Sequence, residues 1–129
     1  MIKIAVLTAA LVLSAGLLSV QAHAEGDAEA GAMLFKKLCS SCHYIGRNAR
    51  SSFGPQLNGI FGRQAGSTTD YQYSDAMKAS SIVWNRETLT AYVQDPSAVV
   101  PGTRMSFWGL SDPEKIANLL AYLQTFQAK

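Results

Sequence analysis

The sequence predicts an all-α domain whose loops are too long for a plain helical bundle. Three observations lead there. Apolar residues recur at helical spacing in three stretches, strand-like alternation persists nowhere, and two segments punctuated by glycine and proline separate the helical ones. The chain has 129 residues, enough for one domain of ordinary size. Its 11 Lys+Arg, 9 Asp+Glu and two cysteines exclude a disulfide-stapled mini-protein, a multi-zinc module and a strongly basic nucleic-acid binder.

The first element is an address. Met1 to Lys3 is a short positive start, Ile4 to Val20 is almost wholly Ala, Val, Leu and Ile, and Ala22-His23-Ala24 supplies a small-x-small pattern. This layout predicts a secretory signal peptide over 1–24, cleaved between Ala24 and Glu25, with the domain over 25–129 exported to the periplasm. The competing reading is an uncleaved membrane anchor, because the stretch approaches the roughly 20 apolar residues of a span. The cleavage pattern, and the short tether left before the first helix, favour removal and no stable membrane insertion. Lys3 leaves with this segment, so the remainder is nearly neutral and offers no case for nucleic acid or an anionic membrane as partner. His23 leaves too, and His43 becomes the only histidine of the mature chain. Zinc sites built on several imidazoles are thereby excluded.

Asp27 to Leu38 is predicted helical, with Ala30, Met33, Leu34 and Leu38 at helical spacing and acids in its first turn. Gly31 inside it costs about 1 kcal/mol relative to Ala, which points to a close helix crossing. From Tyr44 to Gln72 the periodicity is lost, and a segment of that length is unusual in a compact domain unless it wraps something. Ser74 to Ser80 is predicted to form a short helix. Asn85 is the expected N-cap of a helix over Arg86 to Gln94, with Leu89, Tyr92 and Val93 on one face and Asp95-Pro96 at its end. Pro96 to Leu110 reads as a second irregular loop. Ser111 and Glu114 form a capping-box pattern around Pro113, and Ile116, Leu119, Leu120, Leu123 and Phe126 follow at helical spacing.

The chemistry is concentrated in Cys39-Ser40-Ser41-Cys42-His43, the C-x-x-C-H pattern of covalent haem attachment. Two thiols three residues apart can each add to one vinyl group, and the adjacent histidine is then held beside the iron. A disulfide between Cys39 and Cys42 is the plain structural alternative, and a thioredoxin-like pair would need a βαβ context that the chain lacks. For the other face of the iron the soft candidates are Met33, Met77 and Met105. Met33 lies on the attachment side and is expected to pack there, and Met77 is a candidate for the core. Met105 sits in a loop after Pro101-Gly102, where an apolar side chain needs a reason to point inward. Ordinary packing is the alternative for Met105, since methionine fills gaps well. Arg63, Tyr71, Tyr73, Trp84 and Tyr92 are available as donors to the haem propionates, or as solvated and core residues.

These residues, in order, resemble the class I c-type cytochromes, the branch that includes mitochondrial cytochrome c and its bacterial counterparts. The resemblance runs from Gly31 to Leu123. It takes in Gly31 and Phe35, the C-S-S-C-H motif, Gly54-Pro55-x-Leu57-x-Gly59, Phe61-Gly62-Arg63 and Tyr73-Ser74-Asp75-Ala76. It continues through Trp84, Tyr92, Pro101-Gly102-Thr103-Arg104-Met105 and Leu119-x-Ala121-Tyr122-Leu123. It implies a fold of three main helices, short helices and long loops wrapped around one covalently bound haem c. It implies thioethers at Cys39 and Cys42, axial iron ligation by His43 and Met105, and a hydrogen bond from His43 to the Pro55 carbonyl. It also implies a bond from Tyr92 to the Met105 sulfur, with Tyr73, Trp84 and Arg63 at the propionates and Thr103 and Phe107 completing the cofactor's surroundings. Gly31 and Phe35 would pack the first helix on the last, near Leu119 and Tyr122.

The implied function is that of a monomeric electron carrier, not an enzyme. It would shuttle single electrons through transient contacts with a bc1-type reductase and a terminal oxidase, a reaction centre or a periplasmic dehydrogenase. A peroxidase or gas sensor would need an open iron, and a peroxidase a distal acid–base group that no second histidine supplies. Two departures stand out. Met77 replaces a usual buried Asn, and Leu38, Ser52, Ser97, Ser111 and Asp112 replace most of a ring of lysines, with Arg104 as the remaining positive group. Partner binding should then depend less on salt than for a strongly charged pair.

Overall fold

A computed structural model describes residues 25–127, so the segment expected to be a signal peptide lies outside the described residues. Five helices follow in order: α1 (Ala28–Leu38), α2 (Asp75–Ala79), α3 (Arg86–Gln94), α4 (Pro96–Val99) and α5 (Pro113–Gln124). Among the described residues the only β pairing is an isolated antiparallel bridge between Gln64 and Val83.

Each helix starts on a side chain that accepts from its first free N–H groups. Asp27 caps α1, Ser74 caps α2, and Asn85 and Thr88 form a reciprocal capping box on α3. Two boundaries differ from the sequence reading. Pro96–Val99 is a turn of helix rather than loop, because Asp95 ends α3 with its backbone N–H and caps α4 with its side chain. The cap of α5 is Asp112, not Ser111: its carboxylate accepts from Glu114 N and Lys115 N, and Pro113 brings no N–H that needs a partner.

The crossing of α1 over α5 is the frame of the molecule. Gly31 makes it possible, since a Cβ there would run into the Asn118 carbonyl and lie 2.8 Å from the Tyr122 Cβ. Phe35 then meets the Tyr122 ring at 5.5 Å between centroids, and Tyr122 meets Phe126 at 5.1 Å. Ile116, Leu119, Leu120 and Leu123 of α5 are all buried. Met33 does not pack as expected; it is 66% exposed. The buried face of α1 is set by Gly31 and Phe35, and a residue two positions from each points nearly the opposite way. Met77, by contrast, is part of the core.

Candidate functional site

The helices and the long loops enclose a central cavity of about 440 Å3, within the range of small-molecule and cofactor sites. Its wall takes Phe35 and Leu38 from α1, Cys39, Cys42 and His43 from the turn after it, and Gly54, Pro55, Leu57 and Arg63 from the first loop. Tyr71, Tyr73, Met77, Trp84, Leu89 and Tyr92 follow, then Thr103, Met105 and Phe107 from the second loop, and Leu119 and Leu123 from α5. The eleven residues that the resemblance assigns to the cofactor, from Cys39 to Phe107, therefore line one space, whereas Met33 does not.

The cysteine turn forms where α1 runs out. Cys39 N still donates to Phe35 O at 2.8 Å, and Cys42 N and His43 N both return to Cys39 O, at 3.0 and 2.9 Å. The chain thus winds tightly enough to present both sulfurs and the imidazole to the same cavity. Cys39 and Cys42 are free thiols, which sets the disulfide alternative aside. Burial, with the neighbouring Cys42 sulfur, pushes the Cys39 thiol up to about 11.

His43 is held by its surroundings. Its Nδ1–H donates to the Pro55 carbonyl at 2.7 Å, which fixes the tautomer and leaves the Nε2 lone pair available as a ligand. Burial holds the imidazole below its usual pKa, opposed by the Pro55 bond and aided by the Arg63 charge. Gly54 is the residue that sequence reasoning missed. A Cβ there would sit 2.5 Å from His43 Cε1 and 2.8 Å from Nδ1, so the imidazole occupies space that only glycine leaves. Gly54 was visible in the sequence, but the space it leaves is a tertiary fact.

The polar rim is arranged differently from one expectation. Tyr92 does not bond the Met105 sulfur. Its hydroxyl shares a 2.7 Å hydrogen bond with Thr103 Oγ1, which in turn accepts from Met105 N at 3.2 Å. A hydroxyl is the stronger partner than a thioether, and Thr103 offers one two residues before Met105. Burial raises the Tyr92 phenol above its ordinary pKa and so keeps it protonated. Tyr73 pairs with Thr68 Oγ1 at 2.6 Å, and Trp84 is buried with its ring 4.9 Å from that of Tyr92. Arg63 donates to the Gln56 carbonyl at 2.8 Å and to the Asn58 carbonyl, so its guanidinium is fixed in place. Burial lowers its pKa, opposed by Tyr73 and Asp70.

This arrangement fits a haem. The wall is mostly apolar, it carries two guanidinium groups, Arg63 and Arg104, and no carboxylate lines it, which suits a flat apolar ring bearing two acids. Paired thiols and one oriented imidazole stand at the same wall.

Comparison with known proteins agrees. The family described as Cytochrome c matches residues 28–127. Cytochrome c2 of Rhodomicrobium vannielii is 45% identical over 124 residues, covering 96% of this chain and 94% of its own. Cytochrome c2 of Blastochloris viridis is 44% identical over 110 residues, with 85% and 86% covered. Cytochrome c of Cannabis sativa is 46% identical over 99 residues, with 77% and 89% covered. The cavity, the attachment turn and these likenesses converge: the chain belongs to the cytochrome c family, as a class I c-type cytochrome, a mono-haem electron carrier whose haem c is bound covalently through Cys39 and Cys42.

Proposed function

We propose that this protein is an exported, monomeric shuttle that takes single electrons from a bc1-type reductase and delivers them to an oxidase or reaction centre, with His43 and Met105 as the axial ligands of its iron. The observation that carries the ligation is the 2.7 Å bond from His43 Nδ1 to Pro55 O, which orients the ring and raises its basicity as a donor. Of the two methionines lining the cavity, Met77 belongs to the packed core, whereas Met105 stands on a loop pinned through Thr103 to Tyr92. Bound here, haem iron supplies reversible one-electron exchange between its ferric and ferrous states.

The chain's own residues set the conditions of that exchange. Ile60, Leu89, Leu119 and Leu123 keep water from the interior. Arg63, half-buried and held by two backbone carbonyls, places a fixed positive charge beside the cavity. Burial and that charge both disfavour the extra positive charge of the oxidised state, so they raise the potential. Tyr73, Trp84 and Arg63 supply the propionate end.

Export is supported by the leader-like composition of residues 1–24 and by the reach of the Rhodomicrobium vannielii likeness into that segment. Among the described residues, no helix is long and apolar enough to cross a membrane.

The test is a spectroelectrochemical titration of the holoprotein that records the ferric sulfur-to-iron charge-transfer band in the same run. A reversible one-electron transition at positive potential with that band present supports the proposal. A missing band with a low potential refutes ligation by Met105. Mass spectrometry of the secreted protein should find Glu25 at its N-terminus, and retention of residues 1–24 would refute cleavage.

A further inference from the structure

Beside the haem cavity lies a second, shallower groove of about 290 Å3. Leu38 and Phe107 line both spaces, so these two side chains form the partition between the groove and the cavity. At the groove's edge Trp108 is 96% exposed. Tryptophan seldom stands in water over its whole surface, and indoles are enriched where proteins meet other proteins.

Trp108 is not the tip of a loose loop. Phe107 N donates to Met105 O at 3.1 Å on one side of it, and Leu110 N donates to Val93 O at 2.8 Å on the other. Gly109, at φ +102, lies so close to α3 that a Cβ would strike the Gln94 carbonyl. The backbone on both sides is thus fixed, and the indole is presented on a rigid support. An anchor held in place before contact loses little conformational freedom on binding.

The charges of the groove are one-sided. Its two ionisable residues are Lys37 and Lys115, and no carboxylate lines it. Lys115 leans on Asp112 at 3.6 Å, whereas Lys37 has no acidic partner within 4.0 Å among the described residues.

We propose that Trp108 is the principal anchor of the electron-exchange interface. Its partner is a redox protein that offers an apolar seat for the indole, with carboxylates placed opposite Lys37. The proposal rests on the carrier reading above and adds to it which residue carries the contact. An apolar partner face seated on the groove would meet Leu38 and Phe107, which also line the haem cavity. Association then depends more on one aromatic contact than on a ring of charges, so it should weaken only slightly with salt.

The experiment measures reduction of the ferric holoprotein by a bc1-type complex purified from the source membranes, and the affinity of the two by titration calorimetry. Wild type is compared with Trp108→Ala, Trp108→Phe and Lys37→Glu. Trp108→Ala should lose about tenfold in both rate constant and affinity, Trp108→Phe should recover most of it, and Lys37→Glu should lose about threefold. Reduction by ascorbate and the midpoint potential should stay at wild-type values in all three. Full rates and affinity in Trp108→Ala, with wild type reduced normally, overturn the anchor alone. A Lys37→Glu variant that binds as wild type does overturns the carboxylate assignment. A wild-type protein that the complex fails to reduce overturns the carrier reading and the anchor with it. Trp108-dependent self-association in sedimentation, or Trp108-dependent binding to phosphatidylcholine vesicles, overturns the proposal in favour of a second copy or a membrane surface.

Discussion

Replacing Gly54 with alanine tests whether the orientation of His43 is built by packing. The new Cβ would lie 2.5 Å from His43 Cε1, 2.8 Å from Nδ1 and 3.0 Å from Nε2. Carbon atoms pack best at about 3.5–4.0 Å, so the ring or the loop has to move by about 1 Å. The loop is poorly placed to retreat, because Gly54 N donates to Cys42 O and Gly54 O accepts from Ser52 N, both at 2.9 Å. The ring therefore moves, and a shift of that size stretches the 2.7 Å bond to Pro55 O beyond hydrogen-bonding range. Leaving a buried donor unpaired costs about 1–3 kcal/mol, and overpacking costs about 1–3 kcal/mol. The same movement relieves part of both, so we expect a net loss of about 3 kcal/mol. That corresponds to a melting temperature lower by about 12 °C or more for a domain of this size. Thermal unfolding of the ferric holoprotein by circular dichroism reads it out. Gly59→Ala serves as the control, since Gly59 has open space around its Cβ position and would register only its positive φ of 64°. A Gly54→Ala protein that melts like wild type, with Gly59→Ala the weaker of the two, would refute the reasoning.

Four further predictions follow from the same geometry. Gly31→Ala should gain about 1 kcal/mol of helix propensity yet lose about 2 kcal/mol net in urea unfolding, through collision with the Asn118 carbonyl; net stabilisation would contradict the crossing. Met105→Ala should lower the midpoint potential, abolish the sulfur-to-iron band and let the ferrous protein bind carbon monoxide, whereas an unchanged spectrum would exclude Met105 as ligand. Cys39→Ala and Cys42→Ala should each reduce the haem that stays with the polypeptide in denaturing gels, and normal retention in both would refute attachment there. Ser81→Gly should stabilise by about 0.5 kcal/mol, because Ser81 holds a φ of 57° that glycine adopts without strain; a lower melting temperature would show that the serine side chain compensates.

What could be read from the sequence was whatever lies within a few consecutive residues. The attachment motif occupies five positions, and Asn85 announces α3 by its own side chain. The helical periods of α1, α3 and α5 were legible for the same reason. The exposure of Met33 was not, because periodicity tells which residues share a face but not which face the partner helix takes; Gly31 decides that through Asn118 and Tyr122. The α4 turn was hidden since one residue, Asp95, serves two helices. The S-x-x-E pattern at Ser111 misled by one position, because Pro113 suits the first helical position and so leaves Asp112 as the cap. In the site, the residues were legible and their partners were not. Whether Tyr92 meets a sulfur or Thr103 depends on where two loops come to rest, and no local spacing records it.

The α1–α5 crossing also bears on when this chain can fold. Asp27 N donates to Asn118 Oδ1 at 2.7 Å across 91 positions, and the first helix finds its main apolar partner only in the last. Closing so long a loop is slow and brings little reward until both ends have arrived. An emerging polypeptide therefore lacks its frame until Gln124 has been made. On the export route proposed above, late closure is an advantage: the topology itself delays the compact state until the chain has passed through a translocation channel.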